Sequence, residues 1–194
     1  MEKKFNSIDI LTNGFGIGLK NIASLLGAVV LWVLTCWIPY INIGTTIAMT
    51  TLPIEMAKGN VFSPLVIFDK KYFAFIGEYF LITGLMISGI LTGFAFFIIP
   101  GIVISLAWSL AVLLLIDKNL NPMEALTTSN KVTQGYKWII FLAQLLFWVA
   151  ICIFAWLFGK VPAVGWLLQF LLLIAVMPVA LGMQAFIYKK LCKE

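Results

Sequence analysis

The side chains that most often perform chemistry in proteins are scarce in this chain. It has no His and no Arg, so that all thirteen basic residues are Lys, against eight acidic residues. Because His is the usual general base near neutral pH and the commonest metal ligand, its absence removes most acid–base and metal chemistry. The cysteines, Cys36, Cys152 and Cys192, are far apart in the sequence, which favours neither a zinc site nor a disulfide framework. We therefore expect no catalytic residue, no metal site and no cofactor, and we interpret the protein as non-enzymatic.

Glu78 is the acidic residue of greatest interest. It lies a few residues inside a long apolar segment, after Lys70 and Lys71. An ionisable group within a membrane segment is a functional hypothesis, because a charge is costly to bury in lipid. Seven helical residues from Lys71 correspond to only ~10 Å of depth, however. Glu78 is therefore either a candidate intramembrane acid or an interfacial residue that pairs with a neighbouring lysine.

Three glutamines, Gln144, Gln169 and Gln184, lie within apolar segments. A primary amide is costly to bury without a partner, so these residues are candidates for lining a solute path. The alternative is that they form hydrogen bonds between helices, at ~1 kcal/mol or less each. A polar cavity lined by the glutamines would favour the path, and a dry interior would exclude it.

The composition identifies lipid as the solvent of this chain. It is 62% hydrophobic and 11% charged, with a mean hydropathy of +1.07, whereas soluble domains are about a quarter charged. Since even a ~150-residue domain leaves roughly 30% of its surface exposed, 194 residues cannot hide this much apolar surface from water. We predict an all-α integral membrane protein whose residues 1–194 form a single transmembrane domain.

The net charge of +5 would indicate a nucleic-acid partner in a soluble protein. Here the lysines flank apolar segments, which is typical of contacts with anionic lipid headgroups. We therefore expect membrane lipids and no nucleic acid as partners, with a partner protein or a homo-oligomer as a further possibility. The lysines expected to contact headgroups are Lys70, Lys71, Lys118, Lys131 and Lys137.

Long uncharged runs set the number of membrane crossings. Residues 79–116 form 38 consecutive uncharged positions, or about 57 Å of helix, and a ~30 Å hydrocarbon core requires only ~20 residues. The chain must therefore cross, turn and return. Pro100 and Gly101 near the midpoint predict the corner of a helical hairpin, because Pro lacks an N–H and Gly permits unusual backbone angles.

The same arithmetic predicts further corners at Pro39 and Pro162. We expect six transmembrane helices arranged as three Pro-cornered hairpins. The predicted spans are 21–38, 41–57, 73–98, 101–116, 138–158 and 163–188. A five-span alternative, in which 41–57 is re-entrant or interfacial, stays open because that segment is short and rich in Thr.

Twelve of the thirteen lysines lie on the side opposite the three corners, and only Lys160 lies at a corner. By the positive-inside rule both termini should be cytoplasmic. A short cytoplasmic interfacial helix should precede each hairpin. The first, at about 5–20, has apolar residues at helical spacing, and the others begin at Ser63-Pro64 and at Asn121-Pro122, where Glu124 completes a capping box.

A recurring pattern follows the second corner. Its residues are Pro100, Gly101, Asp117, Glu124, Ser129, Gly135 and Trp138. Over about residues 73–150 the chain resembles a broad group of uncharacterised bacterial six-span membrane proteins, which is similar to the membrane domain fused to some glycerophosphoryl diester phosphodiesterases. The resemblance implies a helical module of the bacterial cytoplasmic (inner) membrane. The phosphodiesterase reaction is not carried over to this chain.

Two classes of function follow from these observations. The sparse outer loops and the lysines at every cytoplasmic boundary favour a non-catalytic membrane module that binds lipid or a partner protein. The alternative is a small transporter or channel for an unidentified solute, in which Pro53 and Pro178 would break helices around a midplane site.

Overall fold

The computed structural model describes residues 5–59, 61–161 and 164–193, and this part of the chain is all-helical with no strand. The α-helices are α1 (Ser7–Lys20), α2 (Ile22–Thr35), α3 (Pro39–Met56), α4 (Lys70–Ala74), α5 (Ile76–Phe96), α6 (Ile98–Ala107), α7 (Ala111–Lys118), α8 (Pro122–Thr133), α9 (Lys137–Gly159) and α10 (Gly165–Tyr188). A 3₁₀ helix, Pro64–Phe68, precedes α4, and a π-helical turn, Lys189–Lys193, follows α10.

Several of these helices are long and apolar enough to cross a membrane, as the composition predicts. Within the described ranges there are four, namely Ile76–Phe96, Ile98–Lys118 (α6 with α7), Lys137–Gly159 and Gly165–Cys192. A fifth is added if α1 and α2, bent by 65° relative to each other, form one broken span. The expected count of six is not confirmed, since α2 has only 14 residues and ~20 are needed to cross the hydrocarbon core.

The predicted helix starts are confirmed by their capping contacts. The Ser63 side chain accepts a hydrogen bond from the Leu65 N–H at the start of the 3₁₀ helix. Asn121 and Glu124 form the expected capping box at the start of α8. Gly135 has a φ of +84°, a left-handed conformation that favours Gly and that turns the chain from α8 into α9.

The expected corners at Pro39 and Pro100 are displaced. Pro39 is the first residue of α3, and Pro100 lies in the first turn of α6. The break between α5 and α6 falls instead at Phe97, whose backbone is extended. Proline is tolerated in the first turn of a helix because the N–H it lacks has no intrahelical partner there, so both prolines begin a helix rather than form the turn. The third expected corner, Pro162, lies outside the described residues.

Neighbouring helices nevertheless pack as antiparallel pairs. In α2 and α3 the Trp32 indole donates to Thr46 Oγ1 at 2.9 Å. In α5 and α6 the backbone of Gly93 approaches that of Gly101 so closely that a Cβ on Gly93 would lie 3.0 Å from the Gly101 Cα. Small residues at such crossings let two helices approach within van der Waals contact over their backbones.

The core lies around α3, which occupies the interior. Ten of its eighteen residues are buried, against two of twenty-one in α5 and two of twenty-three in α9. The outward faces of α5 and α9 carry large apolar side chains such as Leu91 and Trp148. A surface of this kind suits lipid, because apolar side chains gain nothing from being withdrawn from hydrocarbon.

The helix predicted at 5–20 is observed as α1, and it packs across the second half of α10. The contact is made by Gly14 and Gly18, where an added Cβ would lie 2.7 Å from Met183 Cα and 2.5 Å from the Pro178 carbonyl oxygen, respectively. The apolar residues at helical spacing, among them Phe15, remain exposed on the opposite face.

Candidate functional site

The helix that runs through α6 and α7 is broken between them. Helical hydrogen bonding is interrupted at residues 108–110, inside an otherwise continuous apolar stretch. Ser129 of α8 bridges the interruption: its hydroxyl donates to the Ala107 carbonyl at 2.7 Å and accepts from the Leu110 N–H at 3.3 Å. The Thr133 hydroxyl donates to the same carbonyl at 3.4 Å. Both side chains are fully buried, so they satisfy backbone groups that water cannot reach.

A cavity of about 330 Å³ adjoins this break, between α9 and α10, and its mostly apolar lining includes three polar residues. Two of the three predicted glutamines line it, Gln144 from α9 and Gln184 from α10, together with Ser109 of the break. The Gln184 amide donates to the Ser109 carbonyl at 3.1 Å. Phe147 and Trp148 supply an aromatic wall. We call this space the glutamine cavity.

The third glutamine lies elsewhere. Gln169 is exposed near the connection of α9 to α10, and its amide donates to the Ala155 carbonyl at 3.2 Å. This contact is the bond between helices that the sequence left open as an alternative. A path lined by all three glutamines is therefore not assembled within the described residues.

A second space, of about 440 Å³, lies between α6 and the start of α9. Its walls are almost wholly apolar, and its lining residues are Ile99, Ile102, Val103, Leu106, Gly135, Lys137, Trp138 and Phe141. We call it the α6–α9 groove. The aliphatic lining residues of α6 carry no polar pattern, so nothing in the sequence indicated that they would face a groove rather than lipid or the core.

Lys137 supplies the positive charge among the described residues that line this groove. Lys137 is half-buried at the first position of α9, and its ammonium donates to Asn130 Oδ1 at 2.8 Å. Trp138, next to it, is 75% exposed. An indole beside a lysine is typical of the boundary between hydrocarbon and headgroups, where the ring is partly buried and the charge stays hydrated.

The other predicted headgroup lysines differ in their surroundings. Lys118 and Lys131 are exposed, as is Lys70. Lys71 forms an ion pair with Glu55 at 3.2 Å, and Lys58 reaches the same carboxylate at 2.6 Å.

Lys71 also lies close to Tyr72 and Asp69. Burial lowers the pKa of the Lys71 ammonium, but the interactions with Tyr72 and Glu55 raise it by more, so its pKa lies above the ordinary value. Lys71 is therefore a fixed cation whose charge is largely neutralised by its acidic neighbours.

The candidate intramembrane acid, Glu78, is exposed in the first turn of α5. A carboxylate is stabilised there by the unpaired N–H groups of the helix start.

Among the described residues no group of three or more Cys, Asp or Glu side chains is arranged to hold a metal ion.

Several residues of the motif on which the predicted resemblance rests take part in packing, helix capping or hydrogen bonds between helices. Gly101 is buried beneath Phe94, Glu124 caps α8, and Asp117 accepts a hydrogen bond from the Tyr188 hydroxyl at 2.5 Å. Ser129 bridges the helix break. Gly101 thus serves the packing of α5 on α6, Asp117 links α7 to α10, and Glu124 and Ser129 hold the start of α8 and its contact with α6.

The chain was compared with protein-family models, with curated proteins and with solved structures, and none of them matches it.

Proposed function

We propose that this protein is a non-catalytic membrane module that binds an anionic phospholipid in the α6–α9 groove. The observation that carries the proposal is the single lysine, Lys137, beside a groove that is otherwise apolar. An acyl chain would lie along Ile102 and Val103, and the phosphate would lie against the Lys137 ammonium. An ammonium near anionic lipid contributes about 1 kcal/mol of attraction. The acyl chain of the lipid needs only an apolar wall.

We also propose that both ends of the chain lie on the cytoplasmic side of a bacterial inner membrane, with three helical hairpins extending from that side. Two contacts support this arrangement. The Lys20 ammonium donates to the Gly59 carbonyl, which brings the end of α1 to the end of α3. The bond from Tyr188 to Asp117 brings the end of α10 to the end of α7. The first contact joins the two lysine-bearing ends of the first hairpin, and the second joins the lysine-bearing ends of the other two hairpins, as a common side requires.

Lipid binding is tested with the purified chain in mild detergent, by native mass spectrometry at rising concentrations of phosphatidylglycerol or phosphatidylcholine. We expect phosphatidylglycerol to bind about fivefold more tightly, the factor that ~1 kcal/mol supplies. Lys137→Gln should abolish this preference, and Val103→Trp, which fills the groove, should weaken both lipids. Lys160→Gln is the matched control, because Lys160 neither lines the groove nor belongs to the predicted headgroup contacts, and it should leave the preference intact. Equal effects of Lys137→Gln and Lys160→Gln would refute the groove as the binding site.

The orientation is tested by cysteine labelling after Cys36, Cys152 and Cys192 are replaced by Ser. A membrane-impermeant maleimide should label Lys118→Cys only in inverted vesicles and Lys160→Cys only in intact cells. Labelling of both positions from the same side would exclude the proposed hairpin arrangement.

A further inference from the structure

The glutamine cavity is separate from the lipid groove and has a different chemical character. The α6–α9 groove offers hydrocarbon and one ammonium, whereas the glutamine cavity offers amides and a hydroxyl beside an aromatic wall. A molecule that binds there would therefore differ in kind from a phospholipid, and its binding is independent of the lipid groove.

The polar groups of the glutamine cavity retain hydrogen-bonding capacity. One N–H of Gln184 is used on the Ser109 carbonyl, which leaves its second N–H and its carbonyl oxygen. The Ser109 hydroxyl donates to the Leu106 carbonyl at 2.8 Å and keeps its acceptor lone pairs. Gln144, within the described part of the chain, makes no hydrogen bond through its side chain. The cavity thus presents both donors and acceptors to a guest.

The same lining sets the charge and size of that guest. Gln144 is exposed at the rim of the cavity, and the described residues around it include no ionisable acid or base, so an ionic guest would find no counter-charge there. A volume of about 330 Å³ lies at the lower end of the roughly 300–1,000 Å³ of ligand pockets. Phe147 and Trp148 favour a flat, apolar body.

We infer that the glutamine cavity binds a small, uncharged molecule with an aromatic or aliphatic body and a group, such as a primary amide, that both donates and accepts hydrogen bonds. Gln144 and Gln184 recognise that group, and the aromatic wall holds the body. The broken helix makes the site, because a continuous helix would keep the Ser109 carbonyl in its own hydrogen-bond ladder.

The test compares three probes of nearly the same shape and different charge: benzamide, benzoate and benzamidinium. Binding is measured by saturation-transfer NMR on the full chain in phosphatidylcholine nanodiscs, with the signal of empty nanodiscs subtracted. We expect benzamide to bind about tenfold more tightly than either ion, a factor that corresponds to ~1.4 kcal/mol. Equal binding of the three probes, or no benzamide signal above that of empty nanodiscs, would overturn the inference.

Three glutamine variants locate the site. Gln144→Leu and Gln184→Leu should each weaken benzamide binding about fivefold, as expected for one lost hydrogen bond of ~1 kcal/mol. Gln169→Leu is the matched control, since it removes the same side chain outside the cavity, and should leave binding unchanged. Gln184→Leu could disturb the helix break, because Gln184 binds the Ser109 carbonyl. Gln144 makes no contact of this kind, so Gln144→Leu tests the cavity independently of the break. Unchanged binding in Gln144→Leu would exclude the cavity.

Discussion

Gly14 of α1 and Gly182 of α10 meet backbone to backbone where the two helices cross. A Cβ on Gly182 would collide with the Gly14 carbonyl oxygen and would lie 2.7 Å from the Gly18 nitrogen. No side chain other than hydrogen fits at this crossing. The contact fixes α1 against α10, so the first helix is part of the packed bundle and not only a segment at the membrane surface.

Gly182→Ala should therefore lower the free energy of unfolding by ~3 kcal/mol, because the backbones of α1 and α10 must separate to admit one methyl group. Gly16→Ala is the control on α1, since no atom lies within 4 Å of its added Cβ. Better helix propensity should make that variant up to ~1 kcal/mol more stable. Both are measured by SDS titration of the purified protein in mild detergent. Equal stabilities would show that the crossing tolerates a side chain.

The helix bounds were largely predictable from the sequence. The predicted spans 138–158 and 163–188 correspond to α9 at Lys137–Gly159 and α10 at Gly165–Tyr188. They agree because charges, Gly and Pro interrupt the apolar runs at the points where helices end. The corner expected at Pro100 was misplaced by the same reasoning, since proline is as acceptable in the first turn of a helix as in a turn.

The packing and the candidate sites were harder to predict. The apolar residues of α1 at helical spacing, such as Phe15, indicated a helix at the membrane interface, but they did not reveal that its glycines pack against α10. The glutamines were recognised as candidates, but their spacing along the chain did not reveal that Gln144 and Gln184 share a cavity and Gln169 does not. The helix break at Ser109 was not predicted, because no proline or glycine lies near it in the sequence.

Ser129 should be important for stability because its hydroxyl forms hydrogen bonds on both sides of that break. Ser129→Ala removes the hydrogen bonds to Ala107 and Leu110 and leaves two buried backbone groups with fewer partners. We expect a loss of ~1–3 kcal/mol in the free energy of unfolding. Ser88→Ala is the control, because its hydroxyl is exposed and bonds only within α5, and it should change stability by less than ~0.5 kcal/mol. A similar loss in both variants would indicate that the break is held by other contacts.

Lys70 and Lys71 are adjacent in the sequence but should respond differently to substitution. Lys71 pairs with Glu55, whose side chain is only 11% exposed, whereas Lys70 is exposed. Lys71→Ala should destabilise the protein by ~0.5–1 kcal/mol more than Lys70→Ala, a modest difference because the Lys71 side chain is itself 40% exposed. The difference should shrink in 1 M salt, where the Debye length is about 3 Å. A difference independent of salt would point to packing rather than to charge.

Tyr188 and Asp117 link the end of α10 to the end of α7, and their hydrogen bond should be measurable as a coupling energy. Tyr188 is fully buried, and its hydroxyl donates to the Asp117 carboxyl at 2.5 Å. A double-mutant cycle with Tyr188→Phe and Asp117→Ala isolates this pair from the other contacts of each residue, and we expect a coupling of ~1–2 kcal/mol. Tyr40→Phe, at a tyrosine that is 64% exposed, should leave stability unchanged. Additive effects of the two substitutions in SDS titrations would show that the ends of α7 and α10 are held together by packing alone.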